Sequence, residues 1–231
     1  AGWTNQNRGK ENAEEFIKKS FPSLMEYLKQ YEEKAKKRDD QGDYWWELRK
    51  CAYYPEFEKE KIIYIEIMTD NWEEGYEFPC YTYRNDTCFV LNTAYIMTGK
   101  NLKYILGLLN SKFGSYLVKQ HVTQLQKRQF RMLAQYVNNF EISPITSGNE
   151  GLVKRIEELV DKILAAKKDN PQADTKNFEE EIDKLVYKLY NLTEEEIRII
   201  EGGEITPCYS VEREKKYSTT ETQRNIEKQK G

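Results

Sequence analysis

The strongest structural signal in this chain is a helical pattern over residues 101–119. Its apolar positions recur every three or four residues, which is the spacing of one helix face: Leu102, Ile105, Leu106, Leu108, Leu109, Phe113, Tyr116 and Leu117. Asn101 is placed to cap the start of this helix. A face this broad has to be covered by other elements, so we expect the helix to pack on a sheet.

Strand patterns precede this helix. Residues 61–67 (KIIYIEI) are rich in β-branched and aromatic side chains and predict the clearest strand. Shorter strands are predicted at 76–83, 87–91, 94–97 and 140–145, with a turn at 84–86. The pattern therefore predicts an α+β fold, in which a twisted mixed or antiparallel sheet packs on the 101–119 helix.

The composition changes near residue 147 to two amphipathic helical stripes. The first contains Leu152, Ile156, Leu159, Val160, Ile163 and Leu164, and the second contains Phe178, Ile182, Leu185, Val186, Leu189 and Tyr190. The connection at 169–174 is short, which predicts an antiparallel helical hairpin. Thr193 and Glu196 have the spacing of a capping box and predict a third, short helix.

These patterns predict four regions. Residues 1–42 are a helical lead-in, 43–147 a central α+β domain, 148–202 a helical spacer and 203–231 a polar tail. Because the stripes of the spacer are complete by themselves, we expect the spacer to be separable at about Gly148. The chain starts Ala-Gly-Trp rather than with Met, and we expect it to be a piece of a longer protein.

Charge is distributed unevenly along the chain. The stretch from Thr87 to Phe140 contains no Asp or Glu and seven Lys and Arg residues, whereas the remainder has 29 basic and 39 acidic residues. A local positive field of this kind favours a polyanionic partner, most often nucleic acid. The alternative is that these cations lie on the solvated side of a helix.

The candidate contact residues are concentrated in segment 120–131 (QHVTQLQKRQFR), which we interpret as a loop. Gln and Arg can form paired hydrogen bonds with adenine and guanine, while Lys and Thr suit phosphates. The predicted set is Lys112, Lys119, Gln120, His121, Thr123, Gln124, Gln126, Lys127, Arg128, Gln129, Arg131 and, from the 84–86 turn, Arg84. An exposed polar loop without a ligand is the alternative.

The sequence offers little for catalysis. A single histidine, His121, gives thin support for a nucleophile–base pair, and the four cysteines form no C-x-x-C pair for zinc. Gly-rich phosphate loops and the Asn-Pro-Pro-Tyr pattern of amino-methyltransferases are absent from the sequence. We therefore predict no catalytic residue, no metal ligand and no cofactor in this fragment. Free thiols and the lack of a signal peptide or membrane-spanning run lead us to expect a cytoplasmic protein that is not bound to a membrane.

Three ordered motifs resemble a known family. They are DDQGDYWWELRKCAYYPEFEKEKIIYIEI, NDTCFVL and GKNLKYILGLLNSK, and with their surroundings they make residues 21–145 similar to the TaqI-like C-terminal specificity domain. The resemblance implies the DNA target recognition domain of a type IIG restriction–modification enzyme or an adenine-specific DNA methyltransferase. It also implies that a methyltransferase domain of the same parent chain uses S-adenosylmethionine, with Mg²⁺ if the parent also cleaves DNA.

The resemblance implies that the module binds double-stranded DNA and presents an adenine to the absent methyltransferase domain. The main alternative is a protein–protein interaction module that docks the other domains of a larger enzyme. An RNA-binding domain is a third interpretation.

Overall fold

A computed structural model describes residues 12–48, 53–71, 73, 75–126 and 128–202. The chain divides into two compact units, residues 1–58 and 59–231, so the first unit extends beyond the expected 1–42 lead-in. The predicted polar tail at 203–231 and the candidate contact residue Lys127 lie outside the described residues.

The first unit is mainly helical. It contains α1 (Ala13–Ser20), α2 (Pro22–Lys29), α3 (Glu32–Lys36) and a 3-10 turn at Tyr54–Glu58. Pro22 occupies the first turn of α2, where its missing N–H is not needed. Arg38 follows α3 and donates to the backbone oxygens of Trp45 and Glu47, both at 2.9 Å, which ties this turn to the end of α3.

The second unit contains two three-stranded antiparallel sheets, which confirms the α+β class. The first sheet has β1 (Lys61–Ile65) at its centre, between β3 (Tyr81–Arg84) and β4 (Ala94–Met97). Tyr64 lies opposite Tyr81 and Tyr95 in this register, and its ring stacks on that of Tyr95 with centroids 5.3 Å apart. These tyrosines form the apolar side of the sheet.

Two predicted strands are absent from the described residues. Residues 87–91 form an irregular connection in which Phe89 and Leu91 are 60% and 81% exposed, so this apolar run has no buried face. Residues 140–145 are also irregular. Their polar backbone groups bond to tyrosine hydroxyls instead of a neighbouring strand: Tyr104 donates to Ser143 O at 2.9 Å, and Tyr190 donates to Glu141 O at 2.8 Å.

The second sheet was not predicted. Its order is β2 (Ile67–Thr69), β6 (Gln129–Arg131) and β5 (Gln124–Gln126). β2 follows β1 after a break at Glu66, so the predicted 61–67 strand contributes to both sheets. The Glu66 N–H donates to Thr93 O at 2.8 Å, and its own carbonyl accepts from Met132 N–H at 2.7 Å. Glu66 is therefore held at the junction of the two sheets.

The predicted 101–119 helix is two helices, α4 (Leu102–Asn110) and α5 (Lys112–His121). Ser111 caps α5, because its Oγ accepts from Gly114 N–H at 3.2 Å while donating to Leu108 O at 2.6 Å. Asn101 makes no side-chain cap and has a positive φ of 57°, so its predicted capping role is wrong. α4 packs on β1 and β3, as predicted. It also packs on the helical hairpin formed by residues 150–189.

The helical hairpin is present as α7 (Glu150–Asp169) and α8 (Lys176–Leu189), preceded by the short α6 (Ala134–Val137). A third helix, α9 (Glu194–Ile200), begins with the predicted capping box of Thr193 and Glu196. The apolar stripes of α7 and α8 are buried in one cluster with α4, α5 and the sheets. Part of each stripe covers α4, so the stripes are not complete by themselves, and we now expect the spacer to need the rest of the second unit.

Candidate nucleic-acid interface

The segment predicted to be a loop forms an antiparallel β-hairpin from Gln124 to Arg131, called here the 124–131 hairpin. Arg128 lies in its turn with a positive φ of 65°, and the strand register shifts between Gln124 and Gln126. The carbonyl of Arg128 accepts from Asp70 N–H at 2.8 Å, which joins the turn to the end of β2. The hairpin is thus fixed both by strand pairing and at its turn.

One side of this hairpin is anchored in the core. Phe130 lies opposite Met68, both are buried, and the Phe130 ring packs on Phe78 with centroids 5.3 Å apart. Side chains alternate between the two faces along a strand. Gln129 and Arg131, which stand on either side of Phe130 in β6, therefore lie on the other face. The result is the outer part of a three-stranded sheet, in which β5 is the edge strand, with an apolar base and an outer surface that is polar apart from the exposed Leu125.

Acidic residues from elsewhere in the chain meet the cations of this surface. Arg131 donates from Nε and Nη2 to Glu66 Oε1, each at 3.0 Å, and Lys119 Nζ lies 2.9 Å from Asp70 Oδ2. Arg128 Nη1 donates to the neutral Asn71 Oδ1 at 3.2 Å. The stretch that contains no acids in the sequence therefore has acids beside it in space. The sequence did not reveal them because they are far from this stretch along the chain.

The end of α5 continues this polar surface. Gln120, His121 and Thr123 are exposed, and the His121 ring lies 6.0 Å from the Phe140 ring between centroids. The carbonyl of Thr123 accepts from Arg131 N–H at 3.0 Å, so the helix end is joined directly to β6. Gln124 and Gln126 are exposed on the edge strand β5.

Tyr136 is a neighbour of this surface that the sequence interpretation missed. Side-chain hydrogen bonds with Thr123 and then Gln135 lower the pKa of its phenol, and the positive charge of Arg131 acts in the same direction. The phenol therefore adds a hydrogen-bonding group beside the outer face of the hairpin. Its sequence signal was weak, because it lies on the four-residue helix α6.

Two predicted contact residues are placed elsewhere. Lys112 is at the opposite end of α5 from His121, where its Nζ lies 2.8 Å from Glu201 Oε1 and its N–H donates to Asp183 Oδ1 at 2.8 Å. Arg84 ends β3 in the other sheet and is held by Asp86, with Nε 2.8 Å from Oδ1. The structure brings neither side chain to the 124–131 hairpin.

The described residues contain no group of three or more His, Cys, Asp or Glu side chains arranged to hold a metal ion. No helix within the described part of the chain is long and apolar enough to cross a membrane. Cys80 and Cys88 are free thiols, and burial, followed by the charge of Glu77, raises the pKa of Cys80. Raising the pKa of a thiol suppresses the reactive thiolate.

The sequence model of the TaqI-like C-terminal specificity domain matches residues 12–142. This range includes both sheets, α4, α5 and the whole 124–131 hairpin, and it ends before α7. No curated protein matches the chain.

Proposed function

This chain belongs to the family of TaqI-like C-terminal specificity domains, and on that premise we propose that the 124–131 hairpin reads the sequence of duplex DNA. Membership supports a DNA-recognition role in restriction–modification enzymes. Assigning that role to this hairpin is our proposal.

The observation that carries the proposal is the geometry of the hairpin. It consists of β5 and β6, the edge and central strands of the second sheet; its described residues are Gln, Leu, Phe and Arg without an acid, and one face is anchored by Phe130. Some DNA-binding proteins place the strands of a sheet in the major groove, and the amide and guanidinium groups of Gln and Arg match purine edges there. We assign base reading to Gln126, Gln129 and Arg131, with Arg128 at the tip.

The end of α5 is suited to a different task. Lys119, Gln120, His121 and Thr123 precede the hairpin and offer donors at its base. Contacts of this type commonly go to phosphate oxygens and set the position of a protein on the duplex. We assign these four residues to contacts with the DNA backbone rather than with bases.

The parent protein supplies the chemistry in this proposal. The chain itself acts as a non-catalytic specificity domain, and a methyltransferase domain of the same parent chain modifies an adenine with S-adenosylmethionine. A nuclease with Mg²⁺ belongs to the proposal only if the parent also cleaves DNA. What supports this division of labour is the family assignment as a specificity domain.

A second candidate function concerns the first unit. Leu24, Tyr27 and Tyr31 are 50%, 57% and 44% exposed and follow one another at three- and four-residue spacing, which places three large side chains on one exposed side of a helical segment. This observation favours a protein–protein docking role for residues 12–48. Such a role is compatible with DNA reading by the second unit.

The test uses the full 231-residue chain and fluorescence anisotropy. A preferred duplex is first selected from a random library and then compared with random duplex, single-stranded DNA and RNA at about 50 and 200 mM salt. We expect the preferred duplex to bind most tightly, and equal affinity for all four ligands contradicts the proposal.

Variants then locate the contact. Arg128→Ala or Arg131→Ala is expected to cost about 1–3 kcal/mol on the preferred duplex and much less on random duplex. Lys112→Ala is the matched control, because Lys112 is paired with Glu201 away from the hairpin. If Lys112→Ala has the same effect as the arginine variants, the hairpin is not the reading element.

A further inference from the structure

Two acids flank β2 and reach the two cations of the candidate interface that lie nearest to them. Glu66 precedes the strand and bonds to Arg131, while Asp70 follows it and pairs with Lys119. These pairs join residues that are far apart in the sequence, so they arise from the fold. The two acids lie at opposite ends of one strand beside the 124–131 hairpin.

The main chain holds both acids in place. The Glu66 N–H is bonded to Thr93 and its carbonyl to Met132, and the Asp70 N–H donates to Arg128 O at 2.8 Å. Their side chains are only 23% and 31% exposed, whereas those of Arg131 and Lys119 are 48% and 46% exposed. The acids therefore lie beneath the cations, and the cations remain accessible from solvent.

This arrangement has an electrostatic consequence for any DNA on the surface. A phosphate that approaches Arg131 or Lys119 meets a cation already balanced by a carboxylate about 3 Å away. Binding to random DNA depends almost entirely on phosphate attraction, so it loses most from this balance. Binding to the preferred sequence also has the proposed base contacts of Gln126, Gln129 and Arg128, whose side chains are not paired with these two carboxylates.

We propose that Glu66 and Asp70 are specificity-determining residues that suppress binding to non-cognate duplex DNA. Their carboxylates pair with Arg131 and Lys119 and so weaken the attraction of these two cations for phosphate. The inference rests on the proposed function and deepens it. Specificity is a difference of affinities, and weakening the wrong complex more than the right one increases that difference. The ligand that the acids act against is the phosphate backbone of duplex DNA.

The test replaces each carboxylate by its isosteric amide, Glu66→Gln or Asp70→Asn, in the full chain. Asp161→Asn is the matched control, since it makes the same change in net charge and releases Lys103, whose Nζ lies 2.6 Å from Asp161 at the α4–α7 contact. Thermal unfolding of each variant checks that the fold is kept. Anisotropy then gives the affinity for preferred and random duplex over a series of salt concentrations.

We expect each amide variant to bind random duplex about fivefold more tightly, which is the effect of one unit charge about 4 Å from another in water. The salt dependence should steepen by about one unit, because one more cation is available to phosphate. The affinity for the preferred duplex should rise less, so the ratio of specific to random binding falls. Asp161→Asn should change none of these quantities by more than about twofold.

The inference is overturned if the amide variants behave like Asp161→Asn, or if they raise specific and random affinity by the same factor. It is also overturned if Glu66→Gln weakens binding to the preferred duplex, since Glu66 would then position Arg131 for reading. A wild-type chain that binds no duplex overturns the proposed function itself, and this inference with it. The wild-type measurement thus separates the two failures.

Discussion

Gly107 of α4 lies directly against Ile156 of α7: a Cβ placed on Gly107 would come within 2.8 Å of Ile156 Cγ2 and 3.0 Å of Val160 Cγ2. Both neighbours are β-branched and buried, so neither can move aside easily. The two helices approach this closely because position 107 has no side chain.

Gly107→Ala is therefore expected to destabilise the protein, although alanine is the better helix former. Overpacking costs about 1–3 kcal/mol, and the gain in helix propensity offsets about 1 kcal/mol of it. Gly151→Ala is the control, because a Cβ on Gly151 at the start of α7 meets nothing within 4 Å. Urea unfolding should show a lower free energy of unfolding for Gly107→Ala and a slightly higher one for Gly151→Ala. Equal gains would mean that the helices are not in close contact.

A chain that ends after Gly148 is expected to lose cooperative unfolding. The truncation removes buried side chains that belong to the same cluster as α4, among them Val153, Ile156, Leu159, Val160, Ile182, Val186 and Leu189. It also removes Asp183, which accepts from the N–H of Lys112. Calorimetry of residues 1–148 beside residues 1–202 makes the comparison. A sharp transition at the same temperature for both would show that α4 does not need the hairpin.

Asp183 gives the protein a defined pH dependence. Burial raises the pKa of its carboxyl above the usual value, with the Lys112 N–H and charge acting against the shift. A carboxyl with a raised folded-state pKa binds its proton more tightly in the folded state. Its contribution is therefore fully present below the ordinary Asp pKa of about 4 and is lost as the pH rises through the raised value.

Asp183→Asn is thus expected to raise the melting temperature at pH 7 and to lose that advantage near pH 4. The amide oxygen still accepts from Lys112 N–H, whereas Asp183→Ala removes the acceptor and should be about 1 kcal/mol less stable than Asp183→Asn at both pH values. Thermal melts from pH 3.5 to about 8 measure both variants. If Asp183→Asn is less stable at pH 7, the ion pair with Lys112 outweighs the burial of the charge.

Arg128 separates stability from DNA binding. Its φ of 65° is strained for a residue with a Cβ and relaxed for glycine. Arg128→Gly should stabilise the chain by up to about 1 kcal/mol and still weaken binding to the preferred duplex by about 1–3 kcal/mol. Asn191→Gly is the control, since Asn191 also has a positive φ but follows α8. Lower stability of Arg128→Gly would mean that the bond to Asn71 outweighs the strain.

Long periodic elements were predictable from the sequence because their evidence is local. α7 and α8 carry apolar stripes, and the capping box of Thr193 and Glu196 lies within four residues. The break at Ser111 was not predicted, because the apolar face continues across it. The signal available was Ser111 itself, a preferred N-cap three residues before Gly114.

The site was harder to predict than the helices. Three-residue strands such as β5 and β6 are too short for a periodic pattern, and Phe130 is the one apolar residue that gives β6 a buried face. The pairing of Glu66 with Arg131 joins residues 65 positions apart, so a charge count along the chain cannot detect it. The sequence identified the candidate residues because they form one continuous segment. Their acidic neighbours could be identified only from the folded structure.

The 124–131 hairpin leaves the core at Val122 and returns at Met132, which are 6% and 0% exposed. With both ends and Phe130 fixed, the exposed residues of the turn can be exchanged or extended while the core sequence stays unchanged. Doubling the length of a short turn costs only about 0.6 kcal/mol in loop closure. A lineage of such domains can therefore acquire new target sequences through insertions at this turn, and the rest of the fold need not change with them.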